Sequence, residues 1–170
     1  MNTVLQQWNT LDVSTAESEI LPCCGSRAWA QELASLRPFA EPADLLAASD
    51  QVWLNLDVAD WDEAFASHPR IGERKSPASA TAQSARWSAQ EQSATELSGE
   101  QIKDELQRAN ALYEARFRRI YIVCATGKSA EEMLAILRRR LDNEDAVELR
   151  EAADQQRQIT QLRLRKWLQL

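Results

Sequence analysis

Histidine occurs once in this 170-residue chain, cysteine three times, glycine four times and proline five times, and each scarcity closes off a class of protein. One histidine and three cysteines without a Cys-x-x-Cys spacing do not assemble the usual zinc site. An odd set of cysteines (Cys23, Cys24, Cys124) is no disulfide framework and reads as reduced thiols buried as small apolar groups. No apolar run approaches the ~20 residues that span a bilayer. The N-terminus lacks a basic stretch followed by an apolar one, and the last three residues are Leu-Gln-Leu, so neither a signal peptide nor the simple peroxisomal address is expected. Those missing signals place the chain in the cytoplasm. Basic residues are outnumbered 20 to 26, giving a net charge of −6, which argues against a duplex nucleic-acid partner. Arg138-Arg139-Arg140 is the nearest thing to a basic patch and reads as a solvated helix face. No repeat of 20–50 residues is visible.

What the chain does have is apolar material, 44% of residues, and charge, 27%. That suits one domain over residues 1–170 with a single good core. With little Gly or Pro and much Ala, Leu, Glu, Gln and Arg, the composition is helical.

Residues 3–9 predict a short helix. Ser14 with Glu17 has the spacing of a capping box opening a second, through Ile20 and Leu21. Ser26 is a good N-cap for Arg27 to Leu36. Pro42 suits a helix start, and Asp44 to Leu56 is periodic. Asp60 caps Trp61 to Ala66, which runs into His68-Pro69, where the proline stops the helix. Residues 74–86 read as a loop that becomes a helix by Ala85, continuing through Gln92. Ser98 with Gln101 opens a long helix to Phe117. Ile120 to Cys124 is β-branched but has no partner strand, and reads as an extended buried connector. Ser129-x-x-Glu132 caps a helix to about Leu141, and a last helix runs from Asp145 to Leu168. The expected architecture is a single compact all-α domain of seven or eight helices with short connections.

Three places bear on chemistry. His68 is the one side chain that titrates near neutrality unaided; it is either a surface histidine ending a helix or an acid/base group. Ser88, Glu91 and Gln92, spaced i, i+3, i+4, share one helical face, either solvated or lining a site. Arg163 falls near the centre of the apolar face formed by Leu149, Ala152, Ile159 and Trp167. A buried guanidinium needs an anion: either an internal partner, or an anionic substrate bound bidentately.

Together these pieces resemble the 2-oxo-4-hydroxy-4-carboxy-5-ureidoimidazoline (OHCU) decarboxylases. The resemblance runs from Cys23-Cys24-Gly25-Ser26 through Phe65-Ala66-Ser67-His68-Pro69-Arg70-Ile71-Gly72-Glu73 and Ser88-x-x-Glu91-Gln92. It continues through Asn110-x-x-Tyr113-x-x-x-Phe117 and Tyr121 to Ala125, to Ile159-x-x-Leu162-Arg163-Leu164. The His-Pro and Ser-x-x-Glu-Gln motifs are its specific part.

The resemblance implies an all-helical homodimer that works without metal or organic cofactor on OHCU. It makes His68 the catalytic acid/base and Glu91 its partner in the chemistry. Pro69, Ser88, Gln92 and Arg163 are then substrate-binding, as is the segment Tyr121, Ile122, Val123, Cys124, Ala125, partly through its backbone. The reaction implied is decarboxylation to (S)-allantoin in urate degradation. The alternatives are a cofactor-free hydrolase of a related ureide and a non-catalytic helical interaction module. One departure is that Arg118-Arg119-Ile120 stands where the family often has Gly-Phe-Pro.

Overall fold

The computed structural model describes residues 2–73, 77–96 and 98–170. Among these it is all-helical, with ten α-helices and one 3-10 turn. That exceeds the expected seven or eight, in part because the helix expected through Gln92 is split in two, Ala82–Glu91 and Ser93–Glu96. The chain divides into two compact units, residues 1–64 with 157–170 and residues 65–156.

The first unit holds α1 (Thr3–Thr10), α2 (Val13–Ile20), a 3-10 turn (Leu21–Cys23), α3 (Arg27–Ser35), α4 (Pro42–Leu54), most of α5 (Val58–Ala66) and the end of α10 (Asp145–Trp167). Several caps follow the sequence. The Ser26 hydroxyl accepts from the Trp29 N–H, and Pro42 sits at the first turn of α4 with a reciprocal Glu41–Asp44 capping box. The N-cap of α2 is Asp12, however, not Ser14; its carboxylate accepts from the Thr15 N–H. Tryptophans supply much of the packing. Trp8 stacks on Phe39 with ring centroids 6.2 Å apart and meets Trp167 edge-on at 5.8 Å. The indole N–H groups of Trp8 and Trp61 donate to the carbonyls of Ala16 and Trp53, so these large rings bury no unsatisfied donor.

The second unit holds α6 (Ala82–Glu91), α7 (Ser93–Glu96), α8 (Glu100–Phe117), α9 (Ala130–Arg140) and the first part of α10. The expected helix through Gln92 breaks there, at φ −96°, ψ 11°, and restarts as the one-turn α7. The cap of α8 is Gly99 rather than Ser98. The Ser129–Glu132 capping box is present in full. Residues 120–125 form no strand and no helix; Ile120 is half-buried and Tyr121 to Ala125 are buried, as a buried connector requires. Of the expected loop, residues 74–76 lie outside the described residues.

The core of this unit gathers Leu106, Tyr113 and Phe117 of α8, Tyr121 and Val123 of the connector, and Met133, Leu134 and Leu137 of α9. Inside it lies an ion pair. Arg140 and Glu148 are both fully buried, with Nη2 2.5 Å from Oε1, so Arg140 is not part of a solvated basic face. The pair is saturated with partners. Glu148 also accepts from the Arg140 Nε, the Tyr113 hydroxyl and, at 2.9 Å, the Asn143 amide. Arg140 Nη1 donates to the Ile122 carbonyl at 2.7 Å, and the guanidinium lies 4.9 Å from the centre of the Tyr121 ring. Burial of Tyr113, aided by its bond to Glu148, pushes its phenol well above the usual range, so it stays a donor. The Tyr121 phenol is likewise raised by burial and donates to the Met133 carbonyl at 2.9 Å.

The chain enters the connector through Arg118, an exposed residue in the left-handed region at φ 56° that caps α8. Only glycine takes that conformation without steric cost. We expect Arg118→Gly to stabilise the protein by roughly 1 kcal/mol, measured by urea unfolding. Arg140→Met leaves Glu148 buried without its cation, and should cost about 3–5 kcal/mol on the same measurement.

Candidate active site

The α5 helix ends at Ala66 because Pro69 cannot continue it. The freed Ala66 carbonyl accepts from the Ser79 hydroxyl at 3.2 Å, and the His68 N–H donates to the Phe65 carbonyl at 3.1 Å. The next four residues, Arg70-Ile71-Gly72-Glu73, close a turn through a bond of 3.0 Å from the Glu73 N–H to the Arg70 carbonyl. Gly72 is its third residue at φ 90°, a position where a side chain is strained. The turn is tied down from three sides. The Asn110 amide donates to the Ile71 carbonyl at 2.9 Å, and the Gln92 side-chain oxygen accepts from the Gly72 N–H at 3.1 Å. The Arg70 guanidinium forks onto the Glu114 carboxylate, Nη2 to Oε2 at 3.0 Å.

Beside the turn lies a cavity of about 450 Å³. Pro69, Gly72 and Glu73 form one wall. Ala85, Ser88, Ala89 and Gln92 of α6 form another, with Thr95 and Glu96 of α7 and Glu100 and Lys103 of α8 completing the lining. Three of the residues picked from the sequence, Pro69, Ser88 and Gln92, are thus brought onto one cavity. Glu91 ends α6 between Ser88 and Gln92 and is half-buried. Gln92 has a second occupation that its motif does not reveal, since its carbonyl oxygen positions the turn.

His68 is buried, with Nε2 2.6 Å from Oε1 of the fully buried Gln156 on α10. The neighbouring residue, Gln155, accepts from the Cys124 N–H at 2.9 Å, and Lys128 Nζ donates to the Cys124 carbonyl at 2.7 Å. Adjacent side chains of one helix therefore hold the histidine ring and the backbone of the connector. Tyr121, Ile122, Val123, Cys124 and Ala125 are all buried. Tyr121 and Ile122 are engaged by the core, through the Tyr121 hydroxyl and the Ile122 carbonyl.

Arg163 belongs to the first unit and is 2% exposed, with Nη1 3.3 Å from the Pro22 carbonyl. Its charge is felt by the thiols of Cys23 and Cys24. Burial nevertheless pushes Cys24 up to about 12, so it is a thiol and not a nucleophilic thiolate at neutral pH. Among the described residues, no group of three His, Cys, Asp or Glu side chains is arranged to hold a metal. No helix among them is long and apolar enough to cross a membrane.

Gln155 and Gln156 belong to none of the motifs legible in the sequence. The signal for Gln156 was available: it lies four residues after Ala152 and seven before Arg163, on the buried stripe of α10 where a polar residue stands out. That stripe carries Glu148, Ala152, Gln156, Ile159 and Arg163, all buried.

These features define a protein that is all-α among its described residues, with a polar cavity beside a His-Pro helix terminus. Comparison with known proteins makes the class specific. The family model described as OHCU decarboxylase matches residues 9–165. The uric acid degradation bifunctional protein TTL of Arabidopsis thaliana is 40% identical over 152 residues, covering 88% of this chain and 46% of that protein. This chain thus spans about half the length of that relative. The 2-oxo-4-hydroxy-4-carboxy-5-ureidoimidazoline decarboxylase of Amia calva is 31% identical over 152 residues, covering 89% and 83% of the two chains. A crystal structure of OHCU decarboxylase in the presence of (S)-allantoin is similar at TM-score 0.77 and 33% identity, covering 89% of this chain and 98% of that one. The chain belongs to the OHCU decarboxylase family.

Because Gly72 sets the turn that carries Pro69 to the cavity, Gly72→Ala should lower stability by roughly 1–2 kcal/mol. Among the described residues its Cβ would meet nothing closer than Thr95 Cγ2 at 3.9 Å, so the loss expected in a thermal melt comes from backbone strain.

Proposed function

We propose that this chain catalyses the decarboxylation of OHCU to (S)-allantoin in urate degradation. The observation that carries the reading is the cavity shared by Pro69, Ser88 and Gln92, Pro69 being the residue that follows the single histidine, in a chain of this family. Family membership over residues 9–165 also supports treating both units as one functional domain. In this reading the protein acts in the cytoplasm as a homodimer, for which the family resemblance is the support.

The chemistry needs little from the protein beyond position and proton transfer. In OHCU a hydroxyl and a carboxylate share one ring carbon, next to a C=N bond. When the bond to the carboxylate breaks, CO₂ leaves and the electron pair enters the adjoining C=N, whose nitrogen takes up a proton. The substrate is thus its own electron sink, and no cofactor is required. The hydroxyl then gives up its proton as the ring carbon becomes a carbonyl, and one proton is delivered to the neighbouring carbon. Delivery to a single face fixes the S configuration.

His68 and Glu91 handle the hydroxyl and the proton transfers. Ser88 and the Gln92 amide hold the ring and ureido groups, and the segment Tyr121, Ile122, Val123, Cys124 and Ala125 lines the pocket, partly through its backbone. Arg163 is retained as a ligand of the substrate on the strength of the family resemblance. Positioned acid/base groups contribute ~10²–10⁴ in rate, and orientation contributes more.

His68→Asn is expected to fold normally and to lower turnover at least ~10²-fold, measured as CO₂ released from OHCU. Retention of near-normal CO₂ release would remove His68 from the mechanism. Turnover of OHCU without CO₂ release by the unaltered protein would instead point to hydrolysis.

A further inference from the structure

A neutral imidazole carries one N–H and one lone pair, and the partner of one nitrogen decides which atom has which. At His68 that partner is a side-chain amide oxygen. Oε1 of Gln156, 2.6 Å from Nε2, only accepts hydrogen bonds, so Nε2 carries the hydrogen. Nδ1 is then the lone-pair atom of the ring. Gln156 is 0% exposed and sits in the interior of α10, a 23-residue helix, so the acceptor is fixed to a rigid element and not to a loop. The identity of the partner matters as well. A carboxylate at this distance would favour the imidazolium, whereas an amide oxygen brings no net charge and acts on the ring through its orientation.

We propose that Gln156 is a positioning residue for His68, fixing its ring in the Nε2–H tautomer and presenting Nδ1 as the atom that exchanges protons with the substrate. This rests on the reading of His68 as the acid/base group. It adds a residue outside the His-Pro and Ser-x-x-Glu-Gln motifs, 88 positions further along the chain.

One histidine makes the test direct, because labelling this 170-residue chain with ¹⁵N-histidine yields a single imidazole. Two-bond ¹H–¹⁵N spectra of the unaltered protein should show the hydrogen on Nε2 and a slowly exchanging Nε2–H proton. Gln156→Met, close in shape but without the acceptor, should lose that slow exchange. Its kcat should fall roughly 10- to 100-fold with KM within about twofold, since the substrate's own contacts remain. Gln156→Glu keeps an acceptor and should restore the slowly exchanging Nε2–H. A ring protonated on Nδ1 in the unaltered protein would overturn the proposal, as would a folded Gln156→Met variant with unchanged kcat. Should the Met variant not fold, the spectrum of the unaltered protein alone decides. Failure here is separable from failure of the functional reading. An inactive His68→Asn beside a fully active Gln156→Met removes only Gln156, whereas an active His68→Asn removes the acid/base assignment itself.

Discussion

The buried pair of Arg140 and Glu148 is the interaction on which the second unit depends. Two ions taken out of water lose hydration worth several kcal/mol each, and their mutual attraction repays that only when every remaining donor and acceptor is matched. Here the matching groups come from three places: Tyr113 on α8, Asn143 before α10, and Tyr121 and Ile122 in the connector. The pair therefore does more than join α9 to α10. It gives an irregular backbone segment, residues 120–125, a fixed place inside the core. A strand would satisfy its backbone through a ladder; this connector does so through Arg140 at Ile122 and through Gln155 and Lys128 at Cys124.

The same helix continues that work. Along its buried stripe α10 places Glu148, then Gln156, then Arg163, with Ala152 and Ile159 between them. Each polar group on the stripe is aimed at something other than the helix itself: an arginine, the histidine, and the Pro22 carbonyl. A buried face this polar gains less from burial of apolar surface than an ordinary amphipathic helix. In return the side chains that hold the histidine and the connector are set on one rigid rod. This is the support that a reacting group needs if its geometry is to be kept within a fraction of an ångström.

Much of this was legible in the sequence where the cause is local. The Ser129 capping box, the Ser26 cap, Pro42 at the start of α4 and the helix stop at Pro69 all depend on residues within one turn, and all stand as read. The buried connector was legible for the same reason, since four consecutive β-branched or aromatic residues, Ile120 to Val123, with no partner strand leave little else. Local signals also misled. Ser14 and Ser98 have the right spacing for capping boxes, but Asp12 and Gly99 begin those helices. The break at Gln92 has no proline or glycine to announce it. Of the residues expected at the site, Ser88 and Gln92 are joined by their spacing and Pro69 by the family resemblance, and all three line one cavity. Gln155, Gln156 and the partners of Arg140 were not found, because their meaning depends on residues up to 88 positions away. A triple-arginine run looks like a solvated face until a fully buried glutamate claims one of its members.

The central claim is that this chain turns OHCU into one enantiomer of allantoin. Circular dichroism tests it most directly: urate is converted in place by urate oxidase and 5-hydroxyisourate hydrolase, and this protein is then added. The account predicts a rapid rise in the (S)-allantoin signal in proportion to the protein added. Slow formation of racemic allantoin, at the rate seen with no protein present, would contradict it.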